Sequence, residues 1–137
     1  MKYLKAWLVT AVGYFVIDLV ARMFILGPLA QSELSGVIRG MSDINKTPLM
    51  LEYVFIPTVL VYLLLQTPAL KSTKSYAFKF GSVLGLGIFG MYEIINSALL
   101  LKWSSAGVSV VNALGGAIVL GLTTVVSVWA LKKFNSR

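Results

Sequence analysis

Residues 108–131 read VSVVNALGGAIVLGLTTVVSVWAL, a run without a charged side chain. A helix rises about 1.5 Å per residue, so the run is long enough to cross a hydrocarbon core of about 30 Å. Its Asn side chain can hydrogen-bond to a neighbouring helix, and its glycines suit close helix packing. The stretch reads as a membrane span, and the whole composition agrees. Hydrophobic residues make up 58% of the 137 residues and charged residues 12%. Mean hydropathy is +0.85, outside the range of soluble domains.

Working outward, three more runs meet the length requirement: Ala6 to Leu26, Leu49 to Thr67 and Phe80 to Leu101. With Val108 to Leu131 they predict an all-α integral membrane protein, a four-transmembrane-helix bundle forming a single domain over residues 1–137. The second span is the shortest, and Pro57 predicts a kink in it. The first follows Lys2 and Lys5 as a signal peptide would. It is too long for one, holds Asp18 and Arg22 and lacks a small-x-small cleavage site, so it is read as a span. Between Gly27 and Pro48, Leu34, Val37, Ile38 and Met41 recur at helical spacing, with Glu33, Arg39 and Asp43 off that stripe. This predicts a short amphipathic helix on the outer face between the first two spans, although an ordered loop over the bundle end fits the same residues.

The net charge of +7 is carried at segment ends. Lys2, Lys5, Lys71, Lys74, Lys79, Lys132, Lys133 and Arg137 fall on one side of the expected topology, and only Arg39, Lys46 and Lys102 on the other. The positive-inside rule then places both termini in the cytoplasm and, in a bacterial chain, the spans in the inner membrane. No basic patch interleaved with aromatics is present, so nucleic acid is not an expected partner. The absence of Cys and His excludes disulfides, thiolate or imidazole metal sites, haem ligation and imidazole general-base chemistry. Neither metal nor cofactor is expected.

Asp18, Glu52 and Glu93 interrupt the apolar runs. A carboxylate at that depth costs roughly 2.5 to 3.5 kcal/mol on insertion scales unless it finds a partner, a proton or water. Counting helical rise from the cytoplasmic end puts Asp18 at about 18 Å, Glu93 at about 20 Å, Glu52 at about 22 Å and Arg22 and Asn96 at about 24 Å. Asn112 enters near the outer boundary. The spans alternate in direction, yet their polar residues converge on the outer half. Asp18 and Arg22 stand four apart and Glu93 and Asn96 three apart, each pair on one helical face. Three acids against one arginine leave a surplus of negative charge, which a low-dielectric site relieves by holding a proton or a cation. The deeper Glu93 is the expected proton carrier, because Glu52, near the end of its span, can snorkel to the interface. The candidate polar site is therefore Asp18, Arg22, Glu52, Tyr92, Glu93, Asn96 and Asn112. Residues of these types also hold transmembrane helices together through interhelical hydrogen bonds. Gly81 and Gly85 form a small-xxx-small pair, and Gly87, Gly90, Gly115, Gly116 and Gly121 add to it, so helix packing is expected there.

The run Gly90-Met91-Tyr92-Glu93-Ile94-Ile95-Asn96-Ser97-Ala98-Leu99-Leu100-Leu101-Lys102-Trp103 resembles the signature of small membrane proteins catalogued as domain of unknown function 2177. Tyr92, Asn96, Ala98, Leu100 and Trp103 match that pattern in register, and Glu93 stands where the family usually has Asp. Asp18-Leu19, Pro68-Ala69-Leu70, and Asn112 followed by Gly115 fall in the family's order, so the resemblance covers nearly the whole chain. Departures are Ala21 in place of a frequent Trp, and Asn112 and Leu114 where the family carries Asp and Trp. The resemblance implies an architecture and a polar motif, with one ionisable group fewer in this chain.

Three function classes fit these residues. The favoured one is an accessory subunit or lipid-interacting scaffold, with membrane lipids and either another membrane protein or a second copy of the chain as partners. The second is a proton- or cation-coupled small-solute transporter in which Asp18 and Glu93 bind and Arg22 gates. The third is a cofactor-free enzyme on a lipid or isoprenoid, working through acid and base carboxylates with help from Tyr92.

Overall fold

A computed structural model of the chain describes residues 2–26, 28, 46–67, 73–99 and 106–135. Among them are four helices: α1 (Lys2–Ala21), which continues as a π-helical turn over Arg22–Leu26, α2 (Lys46–Gln66), α3 (Lys74–Leu99) and α4 (Ala106–Asn135). Three runs are long and apolar enough to cross a membrane, Tyr3–Ile25, Lys74–Ala98 and Gly107–Phe134, while the apolar part of α2, Met50–Gln66, is shorter. The segment holding Leu34, Val37, Ile38 and Met41 lies outside the described residues, as do Leu100 to Trp103.

The helix limits have local causes. α3 starts at Lys74, upstream of Phe80, because the Thr73 hydroxyl accepts from the Tyr76 backbone N–H at 3.1 Å and caps the first turn. α4 runs past Leu131 to Asn135, and Lys132 and Lys133 in its last turn offset the partial negative charge of the exposed carbonyls there. Lys133 also lies over the Trp129 ring, with Nζ 4.7 Å from its centroid. α2 passes through Pro57 without interruption, the proline being fully buried.

α4 is the centre of the bundle. α3 and α1 pack along it on separate sides, and α2 leans mainly on α1. A Cβ added to Gly81 would fall within 3.0 Å of Thr124 and the Leu120 carbonyl, one on Gly85 would meet the Gly116 backbone, one on Gly116 would meet Phe89, and one on Gly121 would meet Ser82 and Phe78. The α3–α4 contact is thus made backbone against backbone, which only glycine permits. Gly115 is buried as well. Gly87 and Gly90 face open space instead. Expected as a packing residue, Gly90 lies off the contact because helical periodicity turns it away from the Gly81 and Gly85 face.

Beside the glycines, α4 buries Thr123, Thr124 and Ser127 completely, and each hydroxyl donates to the carbonyl four residues earlier at 2.6 to 2.8 Å. Thr10 does the same toward Ala6 in α1 at 2.9 Å. Trp7 Nε1 donates to Thr58 Oγ1 at 2.9 Å, joining α1 to α2, and the Thr58 hydroxyl in turn donates to the Val54 carbonyl. Among the described residues no fully enclosed side-chain nitrogen or oxygen lacks a hydrogen bond.

At one end all four helices contribute to a single apolar cluster that includes Ala6, Val61, Ala77 and Val128. At the other end Tyr14, Ile56, Leu60, Val119 and Leu120 form a second cluster from α1, α2 and α4, with Leu84 and Phe89 of α3 only partly buried against it. The outward faces carry Leu8, Val12, Phe55, Val83 and Ile94, all largely exposed. Hydrocarbon is the solvent such a surface fits. Replacing Gly85 with Val is expected to lower stability by about 3 kcal/mol, because the side chain meets rigid backbone. Gly87→Ala should leave stability unchanged or slightly raised. Thermal unfolding of the purified protein in detergent checks both.

Candidate functional site at the polar end

The helices run antiparallel, so the last turns of α1 and α3 and the first turns of α2 and α4 share one end. That end is opposite Lys5, Lys79 and Lys132. Here Asp18, its side chain only 3% exposed, accepts from Arg22 Nε at 2.6 Å and from the Tyr53 hydroxyl at 2.7 Å. Arg22 extends Nη2 to Glu52 Oε1 at 3.1 Å, and the Tyr14 hydroxyl donates to the same oxygen at 2.8 Å. One guanidinium therefore bridges two carboxylates on two helices, and each carboxylate has its own tyrosine donor. The Tyr14 and Tyr53 rings stand 5.5 Å apart, and Phe15 meets Tyr53 edge-on at 5.1 Å. The aromatic wall fixes where the two hydroxyls point.

The i, i+4 spacing brings Asp18 and Arg22 together, as helical geometry requires. Arg22 also opens the π-helical turn that ends α1. A π turn widens the backbone locally and is frequent at functional positions.

Glu93 belongs to a second group. Its side chain takes a hydrogen bond from Ser109 Oγ at 2.8 Å on one oxygen and from Asn112 Nδ2 on the other, and the residue is 5% exposed. These bonds tie α3 to α4, whereas the arginine bridge ties α1 to α2. Asp18, Glu52 and Glu93 therefore lie at one end but divide between two clusters. Asn96 joins neither of them and bonds back to the Tyr92 carbonyl at 2.9 Å. An amide three residues from Glu93 satisfies itself within its own helix more cheaply than by reaching across.

A cavity of about 260 Å³ lies between the two groups. Its polar lining is Asp18, Arg22 and Glu52 on one side and Tyr92 and Asn112 on the other, over a floor that includes Ile56, Ile88, Phe89 and Val119. All four helices supply it. Among the described residues no three Asp or Glu side chains converge as metal ligands do. Tyr14, Tyr53 and Ser109 complete the two networks, and sequence reading passed over them. Their spacing was nonetheless informative: Tyr14 stands one turn before Asp18, and Ser109 one turn before Asn112.

Removing Arg22 strands a buried carboxylate. Arg22→Gln is expected to cost about 2 kcal/mol or more, while the double variant Asp18→Asn with Arg22→Gln recovers most of that loss. Unfolding midpoints of the two single variants and the double variant provide the measurement.

A family model described as predicted membrane protein, DUF2177, matches residues 3–129. The chain belongs to that family. No curated protein and no solved structure matches it.

Proposed function

We propose that this member of the predicted membrane protein family is a lipid-interacting scaffold whose cavity at the polar end receives the headgroup of a membrane lipid. Its setting in this reading is a bacterial inner membrane, with both termini cytoplasmic and the cavity in the outer half. The excess of lysine and arginine at the opposite end supports that orientation.

The observation that carries the proposal is the lining of the cavity. Charged and hydrogen-bonding groups form its walls and aliphatic and aromatic side chains its floor, which is the division a lipid shows between its headgroup and the start of its acyl chains. At about 30 Å³ per water, roughly nine waters fill the same volume, enough for a headgroup and too little for a whole lipid. The separation of Glu93 from Asp18 weighs against a transport site in which the two bind one solute together. Holding a lipid against a four-helix frame asks only for a few fixed polar groups beside an apolar surface.

Ile88 lines the cavity and reaches its rim. Ile88→Trp should fill the space and reduce tightly held lipid severalfold, as counted by native mass spectrometry of the purified protein. Unchanged lipid adducts in a folded variant count against the reading.

A further inference from the structure

The donors around the arginine bridge are distributed unevenly. Both hydrogen bonds to Asp18 end on Oδ2, from Arg22 and Tyr53, and both to Glu52 end on Oε1, from Arg22 and Tyr14. Among the described residues none reaches Asp18 Oδ1 or Glu52 Oε2. Neither oxygen is sealed, because no enclosed side-chain oxygen or nitrogen among the described residues lacks a hydrogen bond. The Asp18 side chain is 97% buried and lines the cavity, so the cavity is the route by which Oδ1 is reached. Two carboxylate oxygens thus offer lone pairs to an occupant, and an ionised carboxylate only accepts.

The charge on this wall has a sign. Among the described residues that line this wall, Asp18 and Glu52 stand against Arg22 alone, so one negative charge is left over. Arg22 is 43% exposed and spends Nε and Nη2 on the carboxylates, which leaves Nη1 as a donor for an anionic oxygen. Glu52 also borders an apolar groove along α2 formed with Leu51, Val54, Phe55 and Thr58. One residue therefore lines both the polar cavity and this open apolar surface of α2.

We infer that the cavity selects a phospholipid with a primary ammonium in its headgroup: the ammonium donates to Asp18 Oδ1 and Glu52 Oε2, the phosphate meets Arg22 Nη1, and an acyl chain follows the α2 groove. A phosphoglycerol headgroup brings a net negative charge to a wall that already has one. A phosphocholine headgroup matches in charge but has no N–H to give. The inference rests on the headgroup reading of the cavity proposed above and specifies its ligand.

The test uses the purified full chain in detergent and native mass spectrometry with short-chain lipids that differ only in the headgroup. Phosphatidylethanolamine, its mono- and dimethylated forms, phosphatidylcholine and phosphatidylglycerol are compared. Affinity should fall stepwise as N–H groups are methylated away, by about tenfold over the series, and phosphatidylglycerol should bind at least as weakly as phosphatidylcholine. Glu52→Gln, which keeps an acceptor for Tyr14 and removes the charge, should flatten the series. A flat series in the wild-type protein, or phosphatidylglycerol binding as tightly as phosphatidylethanolamine, overturns the inference even if Glu52→Gln does not fold. These outcomes separate the two proposals. Lipids that bind, are displaced by Ile88→Trp and show no amine preference defeat only the ligand assignment, whereas binding that Ile88→Trp leaves untouched defeats the cavity as the lipid site.

Discussion

Hydrocarbon provides no hydrogen bonds, so each polar group placed inside this bundle must be matched by another group of the protein. The constraint acts on three scales. Thr10, Thr123, Thr124 and Ser127 satisfy it within one helical turn, by donating to the carbonyl four residues back. Trp7 and Thr58 satisfy it across a helix pair. The carboxylates need more, and two of them recruit a shared guanidinium and a tyrosine each. The charged site therefore also joins α1 to α2 at the polar end, beside the apolar contacts that Ile56 and Leu60 of α2 make there.

The second organising feature is the glycine seam between α3 and α4. Without side chains at Gly81, Gly85, Gly116 and Gly121 the two helices approach closely enough that a Cβ at any of these positions would fall within 3.0 Å of the neighbouring helix. The seam positions Glu93 opposite Ser109 and Asn112, and it sets Phe89 against Gly116. It also leads to the cavity. α3 is drawn tightly to α4, while α1 and α2 are tied to each other by the arginine bridge. Toward the polar end α3 meets the core only through the partly buried Leu84 and Phe89, and the cavity lies there.

Much of this was legible in the chain. Residues 108–131 can only be a span, and the alternation of directions places Asp18, Glu52, Glu93 and Asn112 at a common end, where the structure has them. The Asp18 and Arg22 pair follows from spacing on one helix. Membership of one acid cluster or another was not legible. It depends on which helix stands beside which, and runs that are apolar on all sides carry no periodicity that marks a preferred neighbour. Asn96 illustrates the same limit, because its spacing from Glu93 fits a shared site as well as it fits the bond to its own helix.

By itself the sequence determined the solvent of this protein, its helical class and the end at which its polar chemistry collects, since these depend on composition, on length and on a rise of about 1.5 Å per residue, all of which are local. Only the tertiary structure decided that α4 is central, that the acids divide into two groups and that a cavity lies between them. Those outcomes rest on contacts such as Gly85 with Gly116 and Arg22 with Glu52. They join residues far apart in the chain through the shapes of surfaces that hydropathy does not distinguish.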